Sequence, residues 1–517
     1  MELELTSRQR QLVDERNELV DSTLQKYRLA GQIAQTGLAY VLALLKSPKH
    51  ADKTVGEICR LGDLFLHRAT ASAFKKNVEE KGIALPVQIE KGTFASGVAP
   101  EENDSFQAGT IYDEDLVKIT LGVHIDGYTA QVSRTITVVR PDEREAAGKA
   151  QEPLEGPEAD ALIAAYLATE AVLALLSLSL NTNNHPLIAE TGPVTGTRIR
   201  KLVETVASEF RTQVAPGSRV RRVRRFLAGQ SDAVRESDLK GVIWDEELEE
   251  DRLLDEVKAA YNRATKPEQS QDQAEDWEEV RPGDDFEVVP GEVWLVDIRM
   301  AATGGEKGVL KYRTVLDSTT ATAYKPSIYA RDYTVSYGLK LKASKNLLSK
   351  ADNFTSVYPF KLSYLADDDN ELKSHRLGLN EVVQHHLFVP QPIEAIDFIP
   401  IDAYQHGSVS AKKAASRSGQ PVVVAREMTT VVLIPASQSQ SGFGESIRLT
   451  GGNKVAPPSW LHSKYEVHND EVLALLKVPK EPKISTGISF QVVQASKLTD
   501  DILSFGETAP AGGMEID

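Results

Sequence analysis

The stretch that decides the fold is LVKITLGVHIDGYTAQVSRTITVV, residues 116–139. Val117, Ile119, Leu121 and Val123 alternate with Lys118, Thr120 and Gly122. After Asp126-Gly127, the residues Tyr128, Ala130, Val132, Arg134, Ile136 and Val138 alternate with Thr129, Gln131, Ser133, Thr135 and Thr137. Period-two patterning on both sides of an Asp-Gly pair predicts a β-hairpin with a two-residue turn. With Asp126 and Gly127 in the loop, 125 faces 128, 122 faces 131 and 120 faces 133. Thr120 and Gln131 then become diagonal neighbours on one face, within reach of long side chains. Two carboxylates placed there could share a divalent metal. This chain has a hydroxyl and an amide instead. His124, beside the turn, is expected to face solvent.

Composition sets outer bounds. The chain has 517 residues, 41% of them hydrophobic and 26% charged, which is ordinary for a globular protein with a large core. A formal net charge of −16 repels nucleic acid in bulk, so any such contact needs a local basic patch. Cys59 is the single cysteine, which excludes an internal disulfide and fits the reducing nucleus or cytosol. The first twenty residues are polar and lack the apolar core of a signal peptide. ALIAAYLATEAVLALLSLSL, residues 161–180, is long enough to cross a bilayer, but Glu170 sits at its centre. A buried helix in a soluble chain, with no membrane partner, is the expectation.

Further along the chain, helices are expected over 7–47, Val55 to Ala73, 161–180, Gly196 to Phe210 and 376–388. Thr54 and Glu57 form a capping box for the second of these. Strands are expected at 82–89, 293–300 and 428–434, with extended segments at 309–315 and 321–329. Residues 141–160, 230–285 and 403–420 look like polar insertions, and the tail from Thr499 is acidic. Strands and helices interleave without a regular βαβ count, so the fold class is α+β.

The chemistry is read partly from what is missing. There is no HExxH, CxxC, Walker A loop or G-x-S-x-G elbow. Asp297 lies mid-strand among apolar neighbours, so it is either a site carboxylate or the partner of a nearby arginine or backbone amide. Arg219, Arg221, Arg222, Arg224 and Arg225 crowd into seven residues. That run reads either as a solvated face or as a phosphate-binding patch, most naturally for RNA.

The 116–139 hairpin resembles the metal-site hairpin of the methionine aminopeptidases, KIDxGxHxxGxxxDxxxTxxV. The resemblance runs from about Gln25 to Lys477 through KGIALPVQIE, PGEVWLVDIRM, SIYARDYTVSYGLKLKASK and YEVHNDEVLALLK. It implies the pita-bread fold, two related halves around a central pocket. The implied domains are an N-terminal helical extension (1–24), the pita-bread domain with its insertions (25–477) and a C-terminal extension (478–517). The family's two Asp ligands fall on Thr120 and Gln131. Its His falls around Arg219 and Val220, one Glu on Asp297 and the other near Met428, with Glu427 one residue off register. The substrate-side His falls near Ser96. Only Asp297 keeps a carboxylate, so no metal, no cofactor and no catalytic residue are expected.

The longer loops and the non-basic tail resemble a non-catalytic branch of the family, the fungal factors that export pre-ribosomal large subunits. That branch implies docking on the pre-60S particle near the polypeptide exit tunnel, on rRNA and ribosomal proteins. It also implies contacts with nuclear pore components and cytoplasmic release factors, and shuttling between nucleus and cytoplasm. The rivals are a metalloaminopeptidase with altered ligands and a nucleic-acid-binding regulator.

Overall fold

The computed structural model describes the chain except residues 1, 4–6, 75, 77, 102–103, 105, 141–151, 182–184, 188–191, 227–234, 237–239, 266–280, 282, 318, 356, 402–418, 453–455, 500–501 and 503–517. The insertion expected at 403–420 and the acidic tail therefore lie almost wholly outside the described residues, as does much of 141–160 and 230–285.

One ten-stranded sheet carries the molecule. Its strands are β1 (Lys81–Lys91), β2 (Leu116–Ile125), β3 (Tyr128–Thr137), β4 (Gln213–Val214), β5 (Arg219–Val223), β6 (Gly241–Ile243), β7 (Val293–Ala301), β10 (Val424–Ile434), β11 (Gly444–Arg448) and β12 (Ile488–Val492). The main path is β1-β2-β3-β10-β7-β5-β6, with β11 and β12 branching from β10 and β4 pairing β7. Two further strands, β8 (Gly308–Thr314) and β9 (Glu394–Pro400), pair with each other in a second, smaller sheet.

The hairpin register is the one expected. Ile125 pairs with Tyr128, Gly122 with Gln131, and Thr120 with Ser133. Asp126 and Gly127 both have positive φ, 56° and 80°, as a two-residue primed turn requires.

Two helix-backed cores follow from the alternation of the strands. α2 (Asp21–Lys46) and α3 (Val55–Ser72) cover β2 through Val117, Ile119, Leu121 and Val123. α4 (Pro157–Leu178) and α5 (Gly196–Glu209) cover β7 through Trp294, Val296, Ile298 and Met300. The interposed residues, Lys118 and Thr120 in β2 and Asp297 and Arg299 in β7, take the opposite face of the sheet. This is the α+β pita-bread arrangement, two helix-backed halves sharing one polar seam. α4, the helix apolar enough to cross a membrane, is a core element here, with 89% of its most apolar window buried.

Several local expectations are met and some are corrected. Thr54 and Glu57 close the capping box of α3. The expected helix over 7–47 is two, α1 (Ser7–Asn17) and α2, and α2 runs across position 24. β12 lies beyond 477 yet pairs in the central sheet. His124 does not face solvent. It is 3% exposed, stacks on Tyr358 at 4.3 Å and accepts a hydrogen bond from the Gly127 N–H at 3.3 Å. Tyr358 and Phe226, from distant segments, pack around it.

Residues 328–390 form a module with its own small core under α6 (Lys342–Phe354) and α7 (Asp369–Gln384). A buried ion pair, Lys361 Nζ to Asp63 Oδ2 at 2.8 Å, ties it to α3, and the other Asp63 oxygen accepts the Val87 N–H at 2.9 Å.

Asp63→Ala should lower the unfolding free energy by about 3–5 kcal/mol in urea melts, because it strands the Lys361 ammonium. His124 gives a pH test. Burial depresses its pKa to about 3, against about 6.5 in an unfolded chain. Below pH ~6.5 the unfolded chain takes up a proton that the folded one refuses, so stability should fall with pH by up to about 1.4 kcal/mol per unit. His124→Phe, which keeps the stacking, should flatten that limb of the stability profile.

Candidate functional site

The seam of the sheet is where a dimetal centre would lie, and its chemistry is built around Asp297. This carboxylate is fully buried in β7, directly opposite Met428 of β10 and Arg219 of β5. Arg426, two residues before Met428 and therefore on the same face of β10, clasps it with both arms. Arg426 Nε donates to Oδ1 at 2.7 Å and Nη2 to Oδ2 at 2.8 Å. Arg299 Nη2 adds a bond to Oδ2 at 3.1 Å, and Arg219 Nε stands 3.6 Å from the same oxygen. Burial by itself would raise the Asp297 pKa, but Arg299 and Arg426 outweigh it and hold the carboxyl well below the usual range. Asp297 thus pairs with arginine, one of the two roles open to it from sequence.

The guanidinium of Arg426 reaches the other expected ligand positions as well. Its Nη1 donates to Thr120 Oγ1 at 3.4 Å, and its Nη2 lies 3.8 Å from Met428 Sδ. Thr120 Oγ1 is 2.7 Å from Ser133 Oγ. Gln131 shares the face but engages through its backbone: its N–H donates to Thr430 Oγ1 at 3.1 Å and its carbonyl accepts from Thr450 Oγ1 at 2.7 Å. Glu427 does not rescue the ligand set. Strand alternation turns it away from Arg426 and Met428, toward Arg134, Tyr166 and Trp460. Ser96 Oγ donates to Glu394 Oε2 at 3.0 Å.

These residues do not fit a pair of divalent ions. Such a centre needs several anionic oxygens around the cations. Here one carboxylate is shared among three guanidinium groups, and a cation of this chain already sits between Thr120, Asp297 and Met428. Among the described residues no group of three or more His, Cys, Asp and Glu is arranged to hold a metal ion.

A second buried pair flanks the seam. Glu90 and Lys118 oppose each other across β1 and β2. Burial raises the Glu90 pKa and lowers that of Lys118. Lys118 Nζ donates to the Gly92 carbonyl at 2.8 Å.

The five arginines form a strand and its exit rather than a solvated helix or loop. Their heads turn to carboxylates: Arg219 to Asp297 at 3.6 Å, Arg222 to Glu292 at 3.5 Å, Arg224 to Asp14 at 3.5 Å and Arg225 to Asp126 at 2.6 Å. Arg221 is 9% exposed. The Arg225 backbone N–H also donates to Asn17 Oδ1 at 2.7 Å, so the run binds α1 to the hairpin tip.

A model for metallopeptidase family M24 matches residues 25–175. The chain is 43% identical over 469 residues to "Probable metalloprotease ARX1" of Yarrowia lipolytica, covering 90% of this chain and 92% of that one. The chain belongs to the ARX1 family. The Saccharomyces cerevisiae member is 37% identical over 536 residues, covering 88% of this chain and 90% of that one. Among solved structures, "Structure of a thermophilic Arx1" superposes with a TM-score of 0.60 at 18% identity, covering 89% of this chain and 98% of that chain. Membership in the ARX1 family agrees with the branch the sequence resembles. These relatives carry the name metalloprotease, whereas the ligand positions of this ARX1-family chain hold Thr120, Gln131, Asp297 and Met428.

Sequence reasoning passed over Arg426. Its signal was present: a cation in the largely apolar stretch VVVAREMTTVVLI, beside Glu427 and with the same parity as Met428. Arg426→Met should destabilise the fold by about 3–5 kcal/mol by leaving Asp297 underpaired. Adding Asp297→Asn to Arg426→Met should recover a large part of that loss, measured by urea unfolding of the single and double variants. The sign with pH follows from the depressed carboxyl. The pair's contribution is present above the unfolded pKa, about 3.9, and is lost as pH falls toward the folded value.

Proposed function

We propose that this chain is a non-enzymatic assembly factor of the large ribosomal subunit, a pseudoenzyme that docks on the pre-60S particle near the polypeptide exit tunnel and accompanies it from nucleus to cytoplasm. The observation that carries the non-enzymatic half is Arg426, whose guanidinium takes the place of a metal ion in the ligand shell. Near full-length kinship with ARX1 relatives supports the ribosomal half. In this reading, nuclear pore components and cytoplasmic release factors bind surfaces of the same rigid body.

The contact with rRNA phosphate expected of Arg219, Arg221, Arg222, Arg224 and Arg225 falls, in this proposal, mainly to Arg219, whose side chain is 24% exposed. A more open basic surface lies on the 328–390 module. Tyr333, Tyr337 and Leu341 are 49%, 41% and 50% exposed, and Lys340, Lys342 and Lys345 beside them are exposed too. Aromatic rings between lysines suit stacked bases and a phosphate backbone, and do so against the overall negative field of the chain.

The triple variant Lys340→Glu, Lys342→Glu, Lys345→Glu should melt like the wild type, since all three side chains are on the surface. Its cosedimentation with pre-60S particles should fall sharply. Its binding to rRNA should lose about 2–3 units of salt slope. Unchanged cosedimentation would remove this surface from the proposal, and failure of the wild-type chain to sediment with pre-60S particles would remove the ribosomal reading itself.

A further inference from the structure

The helix α1 is fastened to the body of the protein by polar contacts. Of its eleven residues, SRQRQLVDERN, only Leu12 and Val13 are apolar. Among the described residues, none before Leu19 belongs to a hydrophobic core, and Leu19 itself is buried at the joint with α2. Ahead of that joint the arm holds on as follows. Asp14 Oδ1 lies 3.5 Å from Arg224 Nη2. Asn17 Oδ1 accepts the Arg225 N–H at 2.7 Å, and the Arg16 carbonyl accepts from Tyr128 Oη. Further out, Glu2 and Leu3 pair in parallel with Arg235 and Glu236. Each contact lands on the hairpin tip, on the arginine run or on the chain that follows it.

An attachment of this kind opens easily. The Asp14 side chain is 62% exposed, although that of Arg224 is only 9% exposed. An ion pair that reaches water on one side shifts an equilibrium by a few-fold at most, and a helix this short is marginal without a packed apolar face. The joint at Leu19 sets the pivot. What lies beneath the arm does not depend on it: Arg219, Arg222 and Arg225 face Asp297, Glu292 and Asp126 of the sheet, the strand entry and the hairpin turn. The carboxylate facing Arg224, by contrast, belongs to the arm. Opening therefore changes Arg224 most. A phosphate oxygen can replace the Asp14 carboxylate there, since both are anions that accept from a guanidinium, and a polyanion adds the gain from counterion release.

We propose that α1 is a displaceable strap over a latent phosphate-binding surface: a backbone phosphate of RNA takes the place of Asp14 at Arg224, and the arm swings away about Leu19. The proposal rests on the reading of the arginine run as an rRNA contact and extends it from Arg219 to a second, gated arginine. The competition makes the surface selective, because a single small anion gains too little to displace the arm while a chain of phosphates engages Arg219 and Arg224 together.

The test uses the full chain and a short fluorescein-labelled oligouridylate, followed by anisotropy. Asp14→Ser, at an exposed position, should melt like the wild type and bind the RNA about threefold more tightly. Its salt dependence should steepen by about 0.7 unit, one further phosphate on a single strand. Glu15 accepts from Gln11 of its own helix at 3.0 Å, so Glu15→Ser removes the same charge without freeing Arg224 and should leave affinity and salt slope near the wild type. Adding Arg224→Gln to Asp14→Ser should cancel the gain. The arm is followed by limited trypsin digestion, read by mass spectrometry as cleavage after Arg16. Binding and opening are linked, so the RNA should speed that cleavage in the wild type. Unchanged affinity in Asp14→Ser, an equal gain in Glu15→Ser, or cleavage after Arg16 that ignores the RNA would overturn the strap. Poly-glutamate that speeds the cleavage as well as RNA does would overturn the RNA and assign the surface to an acidic protein. If the strap fails while the wild type still sediments with pre-60S particles, the ribosomal reading stands.

Discussion

A carboxylate sealed inside a sheet has to be neutralised where it stands. Asp297 is fully buried at the middle of β7, and the bidentate grip of Arg426 from the adjacent strand meets that requirement. The interaction does more than balance charge. Arg426 also reaches Thr120 of the hairpin, so one guanidinium spans both halves of the sheet. A metal pair would cross-link the same strands through carboxylates. Here the cross-link is covalently part of the chain, with no separate ion to bind or release.

The consequences spread outward from that seam. β3 and β10 pair over only two residues, Arg134 with Glu427 and Ser133 with Met428. Beyond them the hydroxyls of Thr430 and Thr450 take up the Gln131 backbone groups. Neutral, short side chains suffice once no ion has to be coordinated. On the other side, Arg299 donates to Tyr312 Oη at 2.8 Å, which in turn donates to the Pro216 carbonyl at 2.8 Å, so the arginines around Asp297 are themselves braced. The outcome is a seam cross-braced from both sides.

The same logic explains why charge in the sequence is a poor guide to surface charge. Arg222, Arg224 and Arg225 read as a basic patch, yet each answers a carboxylate from another part of the chain: Glu292, Asp14 and Asp126. In an acidic protein such pairs are easy to form, and they consume the positive charge in fastening elements together. Lys340, Lys342 and Lys345, by contrast, keep their side chains on the surface.

The hairpin, its register and the loss of the ligands were legible in the amino-acid pattern alone. Alternation has a strict period of two, and an Asp-Gly turn fixes which residues face each other. The α3 cap was equally legible, because a capping box is a contact between residues three apart. Three features came instead from long-range packing: the partner that neutralises Asp297, the direction of the arginine run and the burial of His124. Each of these depends on residues brought together from distant segments: Arg426 to Asp297, Asp14 to Arg224, Tyr358 to His124. Local patterning specifies which side of a strand a residue takes. The partner it meets there is set by the pairing of strands more than a hundred residues apart.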